Sequence, residues 1–209
     1  MADNVGKVPA VLLIGPTGSG KTPLGELMGR EGLWGRSCRH FDFGEQLRQA
    51  ADPGESSPYL SEEEIEFLRS VLRSGALLED EHFPIAERIL RAFIETEPVV
   101  SGGLFVLNGF PRHVGQAEAL RGMVEIEGVI ELSCTADVAL ERVRCNAGGD
   151  REGRRDDDVE SVRRKLELFA RRTAPLVEHY RRQGVRVHTI MVEAERPAER
   201  VLEILGQQR

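Results

Sequence analysis

Lysine is nearly absent from this sequence: Lys7, Lys21 and Lys165 are its only members, and every other strong base is arginine. Such a bias belongs to the composition of the source genome. It also makes a lysine in a chemically telling place hard to ascribe to chance. Cysteine is equally sparse. Cys38, Cys134 and Cys145 are odd in number and widely spaced, which excludes a disulfide framework and a CxxC zinc pair. Reduced thiols in a cytoplasmic chain are the expectation. No apolar run approaches the roughly 20 residues that span a bilayer. Residues 1–8 are too polar for a secretory leader. An excess of positive charge is missing too. The net charge is −7, so there is no overall electrostatic footprint for nucleic acid or an acidic membrane. A monomer is expected, with neither nucleic acid nor membrane among its partners.

The 209 residues, 40% of them hydrophobic, suit one domain with a sizeable core and small mobile inserts. Apolar runs at 8–14, 104–107, 126–132 and 185–190 read as buried strands, with a shorter one at 39–43. Helical spacing fills the intervals: 22–30, with Pro23 in its first turn, then 45–51, 81–96, 114–123, 136–144, 159–183 and 197–205. Ser61 and Glu64 form a capping box ahead of Ile65, Leu68, Val71 and Leu72, which carry the apolar spacing of one more helix. Strand and helix alternate throughout. The predicted class is α/β, a parallel sheet with helices on both faces. The segment around Gly148-Gly149 looks the most flexible.

Between the first strand and the first helix stands Gly15-Pro16-Thr17-Gly18-Ser19-Gly20-Lys21-Thr22. It satisfies GxxxxGK[ST] at every fixed position and in the required context, making it a P-loop. Its glycines let successive backbone N–H groups turn inward as an anion nest, and the helix N-terminus adds partial positive charge. Lys21 is placed to reach the β- and γ-phosphates of ATP, and the Thr22 hydroxyl to ligate Mg²⁺. The loop identifies a triphosphate donor and leaves the acceptor open.

Three further segments follow in order: His40-Phe41-Asp42-Phe43-Gly44-Glu45-Gln46-Leu47-Arg48, then Asn108-Gly109-Phe110-Pro111-Arg112 with Gln116, then Gly153-Arg154-Arg155-Asp156-Asp157. With the P-loop, they make the chain resemble the adenylate kinases and related nucleoside monophosphate kinases over nearly its whole length. The resemblance implies a P-loop core at about 1–40, 78–145 and 158–209. It adds a helical insert for the monophosphate at about 41–77 and a short lid at about 146–157. The longer, often zinc-bearing lid of the family has neither room nor cysteines here. Arg48 and Arg112 match the arginines that hold the acceptor phosphate, a task suited to a permanently charged guanidinium fork. Phe43, Gly44 and Gly109 fall beside the acceptor, and Gln116 matches the residue that reads its base edge. Arg154 matches a lid arginine that closes on the transferring group, and Arg142 an arginine near ATP. Asp156 and Asp157 match an acidic pair at the lid hinge.

The sequence also departs from that family. Asn108 stands where the family has an Asp that helps hold Mg²⁺ through water, so weaker metal binding is expected. On that reading Asn108→Asp should strengthen the metal site. Phe43 replaces a Thr, and both stacking on a base and filling the pocket are open to it. Asn146 and Lys165 occupy the positions of two lid-side arginines, for which Arg151 or Arg155 could substitute. The expected activity is transfer of the γ-phosphoryl group of ATP–Mg²⁺ to a nucleoside monophosphate, AMP first. The alternatives are a UMP/CMP kinase and a catalytically weakened nucleotide-binding protein.

Overall fold

Strand β1 (Val8–Ile14) is apolar at successive positions because both of its faces are covered. Ala10, Leu12 and Ile14 belong to one hydrophobic layer, and Val11 and Leu13 to the other, as the two-residue period of a strand requires. This is a computed structural model, and its described residues are 6–52, 57–76, 78–151 and 157–208. β1 lies at the centre of a five-stranded sheet. With β2 (Cys38–Asp42), β3 (Leu104–Asn108), β4 (Val124–Ser133) and β5 (Arg186–Met191), the order is β2-β3-β1-β4-β5. Every neighbouring pair is parallel.

The helices between the strands are α1 (Lys21–Glu31), α2 (Phe43–Ala50), α3 (Glu62–Ser74), α4 (Phe83–Thr96), α5 (Val114–Leu120), α6 (Ala136–Arg144), α7 (Val159–Leu168), α8 (Pro175–Arg182) and α9 (Ala198–Gln207). Ile89 and Leu90 of α4, Leu120 of α5 and Leu176 of α8 cover one face of the sheet. Leu24 and Met28 of α1 and Val201 and Leu205 of α9 cover the other. Each aliphatic side chain buried this completely contributes about 1.5–3 kcal/mol relative to exposure. Leu47 of α2 and Leu68 and Val71 of α3 extend the first layer. The capping box at α3 forms as expected: Glu64 N donates to Ser61 Oγ at 3.2 Å, and Ser61 N to Glu64 Oε2 at 2.9 Å.

Among the boundaries that differ from the sequence expectation, three have a local cause. α2 begins at Phe43 rather than 45, because Asp42 ends β2 and caps the helix at once, accepting from Glu45 N at 3.1 Å. β4 begins at Val124 because the backbone already enters the ladder there, with Val8 N donating to Met123 O at 3.0 Å. The single helix expected over 159–183 is two helices joined by a π segment, Phe169–Thr173. Pro175 has no N–H for the preceding turn and its ring crowds the carbonyl there. The chain widens accordingly, and Ala174 N donates to Phe169 O at 2.9 Å.

This topology gathers the C-terminal ends of β1, β2 and β3 at one edge, where open parallel sheets bind their ligands.

Candidate active site

The loop after β1 enters α1 through Gly20, which takes a left-handed φ of 91° at the N-cap and offers no side-chain cap. The first N–H groups of α1 are therefore left facing the loop. Gly18 has φ +79, and a Cβ there would lie 2.6 Å from the carbonyl oxygen of Ala139. Only glycine lets the loop pass so close to α6. Lys21 Nζ donates to the carbonyls of Gly15 at 2.7 Å and Pro16 at 2.8 Å, which holds the ammonium across the mouth of the cradle. Its pKa is lowered to about 8, first by desolvation and then by the nearby Arg112 cation, against the opposing pull of Asp42. Ser19 Oγ is buried with no hydrogen-bond partner among the described residues.

The paired ends of β2 and β3 place Asp42 opposite Asn108. Thr22 Oγ1 donates to Asp42 Oδ2 at 2.7 Å. Asn108 Nδ2 donates to the same oxygen at 2.7 Å and to Thr22 Oγ1 at 3.1 Å. Burial by itself would raise the Asp42 pKa. The Thr22 hydroxyl, the Glu45 amide and the His40 and Arg48 charges outweigh burial and hold the carboxyl below the usual carboxylate range. Sequence reasoning passed over Asp42 as a site residue.

Around this centre opens a cleft of about 250 Å³. Gly15, Thr17, Gly18, Gly20, Lys21 and Thr22 line its cradle end, and Phe43, Gly44, Arg48, Gly109 and Arg112 its other end. Phe43 is buried and stacks on Phe110 with ring centroids 4.8 Å apart. Of the two roles open to it, the ring fills the pocket floor. Pro16 and Ser19 are buried in the cradle.

Two expected ligand residues are tied to the main chain: Arg142, which also lines the cleft, and Gln116, which does not. Arg142 is buried beneath the cradle, where Nε donates to Gly18 O at 2.9 Å. Its Nη1 reaches the carbonyls of Glu193 and Ala194, both at 2.9 Å, and Arg196 at 3.1 Å. These bonds to main-chain oxygens support the loop from below. Gln116 is 1% exposed. Its Nε2 donates to Leu78 O at 2.8 Å and its Oε1 accepts from Arg112 N at 2.8 Å. It thus fixes the main chain that presents Arg112 and does not line the cleft.

On the lid side, Arg154 and Asp156 lie outside the described residues. Arg151 reaches over the cradle. Its side chain is 7% exposed, it grips Asp157 through Nε at 2.8 Å, and its Nη2 donates to Thr17 Oγ1 at 3.4 Å. Lys165 stands 3.9 Å from the same Asp157. The π segment contributes Phe169 and Thr173 to the cleft, and Thr173 Oγ1 donates to Arg112 O at 2.8 Å. Nothing local in the sequence marks those two residues.

A P-loop cradle, a half-buried lysine and arginines converging from three directions define a phosphotransferase of the P-loop class. A sequence model of the adenylate kinase family matches residues 13–185. An adenylate kinase of Prochlorococcus marinus (strain MIT 9303) is 32% identical over 180 residues, covering 84% of this chain and 86% of that protein. One from Corynebacterium diphtheriae (strain ATCC 700971 / NCTC 13129 / Biotype gravis) is 30% identical over 175 residues, covering 81% and 84%. One from Xanthomonas campestris pv. campestris (strain 8004) is 30% identical over 203 residues, covering 94% and 97%. The chain belongs to the adenylate kinase family, and so to the nucleoside monophosphate kinases.

Proposed function

We propose that ATP occupies the Gly15–Thr22 cradle and AMP the far end of the same cleft, with Lys21, Arg112 and Arg151 neutralising the γ-phosphoryl group as it passes between them. Transfer from ATP to AMP is the reaction of the family, and the residue assignments are ours. The observation that carries them is that cradle and arginine-lined acceptor end share one cleft. The family and its relatives favour AMP over UMP or CMP as acceptor.

The acceptor phosphate oxygen is already anionic, so no side chain need take a proton. The protein's task is positioning and charge neutralisation. Lys21 exchanges the Gly15 and Pro16 carbonyls for phosphate oxygens. Arg48 and Arg112 hold the acceptor phosphate beside Phe43, Gly44 and Gly109. Gln116 reads the base edge only if its amide releases Leu78. The insert at 41–77 and the lid at 146–157, with Arg151 and Arg154, close to exclude water. The donor set near the triphosphate is oxygen alone, from Thr22 and a carboxylate, which suits Mg²⁺ held chiefly by phosphates. Thr22 and the Asp42 carboxylate would help hold that ion, which would supply positive charge to the transferring group. We place the protein in the cytoplasm as a monomer. Its described cysteines are free thiols, in keeping with a reducing compartment.

Initial rates of ADP formation with AMP, CMP, UMP and GMP test this reading. AMP should be the best acceptor, and Lys21→Met should lose transfer while keeping its melting temperature. Wild-type turnover in Lys21→Met, or tight ATP binding with no acceptor used, would overturn it.

A further inference from the structure

The carboxylate missing at position 108 is present one strand away. Asp42 and Asn108 occupy paired positions at the ends of β2 and β3, and Asn108 Nδ2 lies 2.7 Å from Asp42 Oδ2. An ionised carboxylate has no hydrogen to donate, so the residue at 108 that bonds Asp42 in this way must be a donor such as the Asn108 amide. The carboxylate of the pair is the one on β2.

The hydrogen bonds give that charge a direction. A hydroxyl has one hydrogen and two lone pairs. Thr22 gives its hydrogen to Asp42 and accepts from Asn108, which leaves one lone pair. The Asn108 amide gives one hydrogen to Thr22 and the other to Asp42. Asp42 accepts three hydrogen bonds, from Thr22, Asn108 and Glu45 N, and a carboxylate has about four lone-pair sites. One acceptor site on Asp42 and one on Thr22 thus remain beside the cradle, and both residues line the cleft. Asn108 has no amide hydrogen left and carries no charge.

We propose that Asp42 is the metal-positioning carboxylate of this enzyme. It holds the water shell of the Mg²⁺ that accompanies ATP, while Asn108 orients Asp42 and Thr22. The carboxylate has moved from the end of β3 to the end of β2, and Asn108 is its neutral complement. This rests on the ATP–Mg²⁺ reading above. It reverses the expectation from sequence that Asn108→Asp repairs the site: an ionised carboxylate there cannot donate to Asp42 and Thr22 as the Asn108 amide does, so both lose their orientation.

The test measures binding without turnover, using the full-length chain, a β,γ-imido analogue of ATP as ligand and Mn²⁺ as the metal. Calorimetry gives analogue affinity with and without Mn²⁺, and the ratio is the metal enhancement. Asp42→Asn keeps a good helix cap and should lower the enhancement about tenfold or more, the usual effect of removing such an outer partner. Asn108→Asp alone should lower it as well. The double exchange Asp42→Asn/Asn108→Asp puts one carboxylate back at the strand-end pair and should return the enhancement to within about threefold of wild type. If Asp42→Asn also loses metal-free binding, the double exchange decides. Undiminished enhancement in Asp42→Asn, a gain in Asn108→Asp alone, or no recovery in the double exchange overturns the proposal while the Mg²⁺ reading stands. A wild-type protein that binds the analogue with no enhancement by Mn²⁺ or Mg²⁺ overturns both.

Discussion

The ring of Phe43 stacks on that of Phe110, with centroids 4.8 Å apart, at the floor of the cleft. Phe43→Thr should cost about 2–4 kcal/mol, since it removes most of a buried ring and leaves a void against Phe110. Urea unfolding of the nucleotide-free protein measures this. An unchanged midpoint would mean that the ring does not hold the floor.

Arg142 is a support whose loss should be felt in the cradle. Arg142→Ala strands the carbonyls of Gly18, Glu193, Ala194 and Arg196 that it now serves. A stability loss of about 2–4 kcal/mol is expected, together with weaker ATP binding. Arg142→Lys should recover only part, because an ammonium cannot reproduce the fork. Equal ATP affinity in wild type and Arg142→Ala would contradict the role.

Arg151→Ala should lower kcat by about 10²-fold or more, the scale seen when one preorganised donor to a developing charge is removed. KM for AMP should move little, since Arg151 stands over Thr17 on the donor side. Initial-rate kinetics separate the two constants. A rise in the AMP KM with kcat intact would place Arg151 at the acceptor.

Gln116→Leu removes the partner of Arg112 N and one of the two partners of Leu78 O, which keeps His113 Nε2 at 3.3 Å. Arg112 N would be left unpaired, so about 1–3 kcal/mol of stability should be lost even without nucleotide. Thermal unfolding at matched buffer reports it. An unaltered melting curve would return Gln116 to a purely ligand-facing role.

Features that local pattern controls were legible in the sequence. The strand runs, the capping box at Ser61 and Glu64 and the P-loop each depend on residues a few places apart, and each forms where expected. Features set by convergence were not. Asp42 acquires its meaning only when β2 and β3 pair in register and Thr22 arrives from α1. Arg142 and Gln116 match ligand residues in the family, yet here both are committed to carbonyls that no motif announces. Arg151 was legible only as a possible stand-in, since loop path decides which arginine reaches Thr17. The π segment before Pro175 had its signal in plain view, but periodicity ran through it.

The bonds from Arg142 to Gly18 and to residues 193–196 also set a clock on biosynthesis. A chain leaving the ribosome N-terminus first displays all of Gly15–Thr22 early, but the guanidinium beneath it is 124 positions from Gly18. The carbonyls that hold that guanidinium emerge about 50 residues later still. Nascent chains in which residues 193–196 have not yet emerged from the ribosome should therefore capture little ATP, however complete their binding motif.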